Sequence, residues 1–297
     1  MAAVINTISN PDDYPIIYYW RNDDYITPIA ITDRYNKGVM TNIYNREKKC
    51  FELRINSYTF NRGVFDKNKD LKKVQFTESA ELIDIADFAF QYSSVEEVNF
   101  DGVGVIGSSF PGCNNLKEIT VPECVERIGT NAFASCAKLR KVKIEGAPMI
   151  GKNCFIDAPV SNCEFFGKCL YKAMDADGAY QTYKVKPGIE SIAAGAFSET
   201  ATIDKVIIPN SVLKVGYDAF EESNVTTVEF DGCPNIIYVP DESNYHSIFG
   251  STPEYAENIL LQDETLLPTI QSDTATQYAN VIQVVYVNDD GVKVIKK

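Results

Sequence analysis

The chain has 297 residues, of which 45% are hydrophobic and 23% charged, enough to bury a core without disulfide or metal staples. Its 28 basic and 41 acidic side chains leave a net charge of -13, the wrong sign for a surface that binds phosphates, so nucleic acid is not an expected partner. The lone histidine, His246, excludes a His-rich metal cluster and an H-x-x-x-H pair, and no run of eighteen apolar residues exists to span a membrane.

From the N-terminus, Met1-Ala-Ala-Val-Ile-Asn-Thr-Ile-Ser-Asn-Pro11 has neither the basic start nor the apolar run of a secretory leader. Location is therefore left open between the cell surface, reached with a leader since removed, and a cytoplasmic or assembly-bound state. Residues 1–60 carry seven acids and seven bases and are rich in Tyr, Ile and Thr. Pro15–Trp20 and Cys50–Ile55 read as strands. The region is expected to cap the open end of the repeats that follow, with a separate docking module as the alternative. Trp20 with Tyr18, Tyr19 and Tyr25 admits an aromatic platform for a sugar or peptide, although strand tyrosines more often pack on a core edge.

Residues 61–235 repeat. Phe65, Phe90, Phe110, Phe133, Phe155, Phe197 and Phe220 are spaced 25, 20, 23, 22, 42 and 23 apart. Five or six residues after each begins an apolar-x-x-apolar-x-apolar frame: Leu71, Val74, Phe76; Val95, Val98, Phe100; Leu116, Ile119, Val121; Leu139, Val142, Ile144; Val160, Cys163, Phe165; Ile203, Val206, Ile208; Val225, Val228, Phe230. Alternation at the end of each frame marks a half-buried strand of about six residues, seven strands in all. Ahead of most phenylalanines lies a pair such as Ile85-Ala86, Ile106-Gly107, Ile128-Gly129, Ile150-Gly151, Ile192-Ala193 or Val215-Gly216. The residue before the ring is small (Ala89, Ser109, Ala132, Cys154, Ala196, Ala219), so that neighbouring coils can approach. Pro122 and Pro209 are expected to end strand pairing. The cysteines fall into the same frame: Cys113 and Cys136 share a position with Ser93, Ala158, Thr200 and Ser223, which asks for small volume and predicts reduced, buried thiols. The double-length gap after Phe155 holds Cys169–Val185, read as an inserted hairpin turning at Asp177-Gly178.

The tail, 236–297, is acidic; with residues 231–235 it has ten acids against three bases. Pro253–Leu261 suggests a short helix, and Ile282–Val287 and Val292–Ile295 flank Asn288-Asp-Asp-Gly291 as a terminal hairpin.

The copies Ala132-Phe-Ala-Ser-Cys136-Ala-Lys-Leu139-Arg-Lys-Val142-Lys-Ile144 and Ile119-Thr-Val121-Pro122-Glu-Cys-Val125-Glu-Arg-Ile128-Gly129 resemble the unit of the BspA-like (Treponema-type) leucine-rich repeats, over roughly residues 60–235. The resemblance implies a right-handed, β-rich leucine-rich-repeat solenoid of about seven repeats, with one hairpin insertion and non-repeat caps at both ends. It also implies a non-catalytic, adhesin-like role, because members of that family look like surface adhesins and host-interaction proteins.

Stacked strands turn alternate side chains to solvent. These are Lys73, Glu97, Glu118, Lys141, Asn162, Lys205 and Thr227 in one row, and Gln75, Asn99, Thr120, Lys143, Glu164, Ile207 and Glu229 in the next. The charged and amide members of this ladder, with Thr120, form the expected binding face, for a protein or a surface glycan. The alternative is a structural subunit of an envelope complex or virion, docked through 1–60 or 236–297. No catalytic residue, metal site or cofactor is assigned. His246 has no partner deducible from sequence, and no G-x-S-x-G motif occurs. Asp175, Asp177 and Gly178 lack the remaining ligands of a calcium loop and read as a turn, and Asn224-Val-Thr226 reads as a chance glycosylation match.

Overall fold

An aromatic ring that recurs every twenty-odd residues is buried on both faces only if each copy lies on the next. The computed structural model, which describes residues 16–20, 40–55, 59–60, 62–77, 82–175, 181–216, 218–231, 237–239, 283–288 and 291–296, has this arrangement. It divides into two compact units, Met1–Pro148 with Asn153–Asn162, and Met149–Lys152 with Cys163–Lys297. In the first, Phe65, Phe90, Phe110, Phe133 and Phe155 stack with centroids 5.3, 4.8, 5.5 and 5.6 Å apart and planes within 12°. In the second, Phe197 and Phe220 stack at 4.8 Å. All seven rings are buried.

The backbone bends around each ring by entering the left-handed region on both sides of it, except at Phe110, where Gly112 after the ring does so and Ser108 before it does not. Asn131 and Ser135 flank Phe133 at φ 56° and 55°, Asn153 and Asp157 flank Phe155 at 57° and 59°, and Asp218 and Glu222 flank Phe220 at 51° and 53°. Within that turn the phenylalanine N–H donates to the next coil: Phe90 to the Ser109 carbonyl, Phe110 to Ala132 and Phe133 to Cys154, at 2.8 to 2.9 Å. In each of these bonds the acceptor is the small residue before the next ring, because a larger side chain there would hold the coils apart.

In the first unit the strands are β1 (Ile16–Trp20), β2 (Met40–Asn45), β3 (Cys50–Ile55), β4 (Thr59–Phe60), β5 (Lys73–Gln75), β6 (Ile83–Ile85), β7 (Glu97–Asn99), β8 (Val103–Ile106), β9 (Glu118–Val121), β10 (Arg127–Ile128) and β11 (Lys141–Ile144). They build two walls. One wall contains the parallel pairs β5–β7 and β9–β11, from the last residues of the apolar frames. The antiparallel strands β2, β3 and β1 extend its β5 side. The other wall is the parallel order β4-β6-β8-β10, built from the short segments ahead of the Gly or Ala pairs. This second wall was not legible as strand in the sequence, because segments of two to four residues carry no readable period. Gly129 is required by its closeness: a Cβ there would lie 2.8 Å from the carbonyl carbon of Gly107 on the neighbouring coil. Pro122 follows β9 directly and ends it, as expected.

In the second unit, β12 (Met149–Ile150), β13 (Phe165–Phe166), β14 (Cys169–Leu170), β15 (Gln181–Lys184), β16 (Ser191–Ile192), β17 (Ile203–Pro209), β18 (Lys214–Gly216), β19 (Thr227–Asp231), β20 (Ile237–Val239), β21 (Gln283–Asn288) and β22 (Gly291–Lys296) follow the same plan. One sheet runs β13-β14-β16-β18-β20 and the other β15-β17-β19-β21-β22. The chain ends in the antiparallel hairpin β21–β22, whose first strand lies parallel to β19. Pro209 is the last residue of β17, still in register with Asp231. Among the described residues there is no helix, so none is long and apolar enough to cross a membrane. With one coil per phenylalanine, the fold is a β-solenoid of about seven turns.

The fifth apolar frame departs from expectation. Val160 is buried, but Cys163 and Phe165 are only half-buried and no parallel ladder forms there. Phe165–Phe166 instead turns back at Gly167-Lys168 onto Cys169–Leu170. Phe166 enters the core, and Phe165 lies under the Lys186 ammonium, 3.9 Å from its centroid. The inserted hairpin therefore turns ten residues earlier than read. Residues 169–170 and 181–184, expected to pair with one another, belong to different sheets, and Gln181–Lys184 supplies the coil's strand by pairing parallel to β17. The stretch 176–180, the segment Pro253–Leu261, His246, Cys233 and Tyr25 lie outside the described residues.

Removing one ring from the column leaves a cavity with no neighbour able to collapse into it. Phe133→Ala is expected to cost about 3–5 kcal/mol in denaturant unfolding. A variant that unfolds at the wild-type midpoint would show that the column does not hold the coils.

Candidate binding face

Because the rings and frames fix the register, the outward side chains of successive coils stand opposite one another. Lys73 pairs with Glu97 and Gln75 with Asn99 across β5–β7. Glu118 pairs with Lys141 and Thr120 with Lys143 across β9–β11. The charges close on their neighbours: Lys73 Nζ to Glu97 Oε2 at 2.7 Å, Lys141 Nζ to Glu118 Oε2 at 3.1 Å and Lys143 Nζ to Glu145 Oε1 at 2.7 Å. These side chains are exposed, so each pair contributes at most about 1 kcal/mol. Their effect is to hold long side chains in one place.

In the second unit Lys205 lies between Thr182 and Thr227 and reaches diagonally to Glu229, 2.6 Å away. That pair is more sheltered, with 35% and 23% of the two side chains exposed. Asn162 and Glu164 are not rungs of either ladder, because the fifth frame turns away from it. Glu164 instead accepts the Tyr183 hydroxyl at 2.6 Å, and burial with that bond pushes the Tyr183 phenol up.

The wall is interrupted at one place in the first unit. β7 and β9 are successive frame strands, yet no ladder joins them. In the repeat register Glu97 and Glu118 share a row there, and like charges directly opposite destabilise a strand pair. The interruption opens a depression of about 480 Å³ lined by Glu96, Glu97, Asp101, Glu118, Glu145 and Lys141 among others. Glu96, Asp101 and Glu145 were missed as site residues because they lie outside the alternating positions. Asp101 and Glu145 share an offset in the frame, six beyond its first apolar residue, which was the available signal. Beneath the opening the core is intact, with Phe100 edge-on to Phe110 and Phe133 at 5.7 and 6.2 Å.

The other chemistry-bearing residues are committed to structure. The described cysteines are free thiols. Burial pushes Cys113 and Cys169 up to about 11, and Cys136 and Cys154 upward as well, so none is a ready thiolate. The small-residue slot also proves to be a donor slot. Cys113 Sγ donates to the Phe90 carbonyl and Cys136 Sγ to Phe110, while Thr200 and Ser223 donate to Phe197 and Phe220. Lys152 is bonded to Glu221; burial lowers its pKa, but Glu221 outweighs this and holds the ammonium above its ordinary value. Tyr18 is buried with the Lys48 ammonium over its ring, a packing role; the side chains of Tyr19 and Trp20 lie outside the description. Asn224 donates to the Ala201 carbonyl at 2.9 Å, latching one coil to the next. Among the described residues no group of His, Cys, Asp and Glu is arranged to hold a metal ion.

Asp175 latches a turn. Its carboxylate accepts the N–H groups of Ala201 and Thr202 and the Thr202 hydroxyl at 2.8 to 3.0 Å. Burial raises its pKa, but these three bonds together hold it below the ordinary 3.8. A depressed pKa stabilises the fold above the ordinary value and loses that contribution as pH falls through the folded value. Asp175→Asn should therefore lower stability near neutrality and flatten its loss below about pH 4. Denaturant midpoints measured across that range check this; an unchanged acid profile would mean the carboxylate does not brace the turn.

The chain matches the description "BspA type Leucine rich repeat region" in six copies, over residues 42–163 and 176–248. A solved structure of a leucine-rich repeat protein from Bacteroides ovatus is similar at 17% identity, covering 70% of this chain and 76% of that one, with a TM-score of 0.27. No curated protein matches in sequence.

Proposed function

Because the chain belongs to the BspA-type leucine-rich-repeat family, we propose that it is a non-catalytic recognition protein that binds another protein through the outward rows of its parallel strands. The observation that supports this best is the ladder Lys73, Glu97, Glu118 and Lys141, with Gln75, Asn99, Thr120 and Lys143 beside it. Its exposed charges are held by cross-strand pairs, so little side-chain freedom is lost on binding. Lys205 and Glu229 offer a second, more sheltered patch of the same kind. The finer reading is adhesin-like binding of a surface protein, with a surface glycan as the other ligand. The ends are read as caps, since β1 lies antiparallel beside the first frame strand β5, with β3 antiparallel beside β1, and β22 lies antiparallel beside β21.

The test presents the purified full chain to arrays of proteins and of glycans. Specific capture that is weakened about tenfold or more by the double reversal Lys141→Glu with Lys143→Glu, and a melting temperature that falls by no more than the loss of two exposed pairs allows, support the reading. Capture indifferent to the reversal overturns the sheet face, and recovery only in a sedimentable particle at fixed stoichiometry would favour a subunit docked through its ends.

A further inference from the structure

The row that crosses the first unit's wall reads Lys73, Glu97, the interruption, Glu118, Lys141. Each glutamate is paired with the lysine on its outer side, at 2.7 and 3.1 Å, so the charges run plus, minus, gap, minus, plus. The position that alternation assigns to a cation is empty of one. The opening is also the place where the strand ladder stops, so β7 and β9 each present an inner edge with no strand hydrogen-bonded along it. Such edges offer carbonyl oxygens as further acceptors. Asp101 adds a carboxylate that accepts a local hydrogen bond from the Asn99 side-chain amide at 2.8 Å.

We propose that the interruption between β7 and β9 receives a lysine or arginine side chain from an extended basic segment of the protein partner; this rests on the sheet-face reading above. A guanidinium presents five N–H donors and no acceptor, which suits a site of carboxylates and bare carbonyls. The depression of about 480 Å³ is roomy for one such side chain and the backbone that carries it. Glycan hydroxyls or phosphates would leave the glutamate repulsion uncompensated. A second copy of a chain with net charge -13 would add to it. A cation in the opening removes the like-charge contact, and the two flanking ion pairs stay intact.

The probe is a short acetylated peptide of alternating glycine and arginine, compared with its neutral citrulline counterpart, titrated calorimetrically against the full chain at low and at physiological salt. The arginine peptide is expected to bind and the citrulline peptide not to. Glu97→Gln with Glu118→Gln should weaken the arginine peptide at least about tenfold, and Glu199→Gln, at an exposed acid off the outward rows, should leave it unchanged. The double glutamine variant gives up two exposed ion pairs but relieves the like-charge contact, so its melting temperature should fall by no more than the loss of those pairs allows, which separates lost binding from lost folding. No binding, equal loss in Glu199→Gln from diffuse attraction to an acidic chain, or indifference to the double variant would each overturn the proposal. In those cases protein capture that still responds to the Lys141 and Lys143 reversal would leave the sheet-face reading standing.

Discussion

The structure depends on the stacking of one phenylalanine per coil. A parallel-stranded coil of this size cannot close a core by itself, since its two walls enclose only a thin slab. Contact at 4.8 to 5.6 Å between near-parallel rings makes each coil the lid of the next. Such pairs are worth about 0.5–1.5 kcal/mol beyond the area they bury. Their geometry also sets the rise from coil to coil, and every other repeat position adapts to it. The left-handed residues either side of the ring turn the chain sharply enough to place it inward, and the small residue before it leaves the carbonyl open to the N–H of the ring below. Thr200 and Ser223 then close their own turns with side-chain bonds to the Phe197 and Phe220 carbonyls, while Cys113 and Cys136 reach the Phe90 and Phe110 carbonyls of the preceding coil.

With the register fixed from inside, the outside follows without further specification. A side chain two residues along any frame must stand beside its equivalent on the next coil, so the pattern of exposed charge is a direct image of the repeat alignment. Where lysine meets glutamate the wall closes, as between β5 and β7 and between β9 and β11. Where glutamate meets glutamate it does not. The interruption is thus a local surface conflict imposed on an undisturbed core: the ring column continues beneath it, and the second wall runs unbroken from β4 to β10.

The insertion illustrates the opposite case, where the core departs from the repeat. Cys163 and Phe165 fit the apolar frame by type, yet the hairpin at Gly167-Lys168 carries Phe166 inward in place of Phe165. The coil then regains its strand from residues 181–184. Glu164, freed from the ladder, becomes an acceptor for Tyr183, and Asp175 ties the incoming segment to the turn at Ala201-Thr202. Polar residues that a motif search would single out serve here to hold one turn against another.

The sequence by itself determined the coil number, the ring column, the first frame strands and most of the outward row, because a repeated apolar period is a local signal and stacking leaves it one solution. The terminal hairpin was legible too, from turn residues between alternating segments. Short-range pattern could not supply the second wall, whose strands of two to four residues exist only through the neighbour they pair with. Nor could it supply the turn of the inserted hairpin, where Phe165 and Phe166 compete for one core position and only the surrounding packing chooses. The interruption between β7 and β9 lies between these cases. Glu97 and Glu118 were both placed on the outward row, but that their meeting opens the wall and gathers Glu96, Asp101 and Glu145 around the gap was decided by the third dimension, where residues 21 or more apart in the chain line one depression.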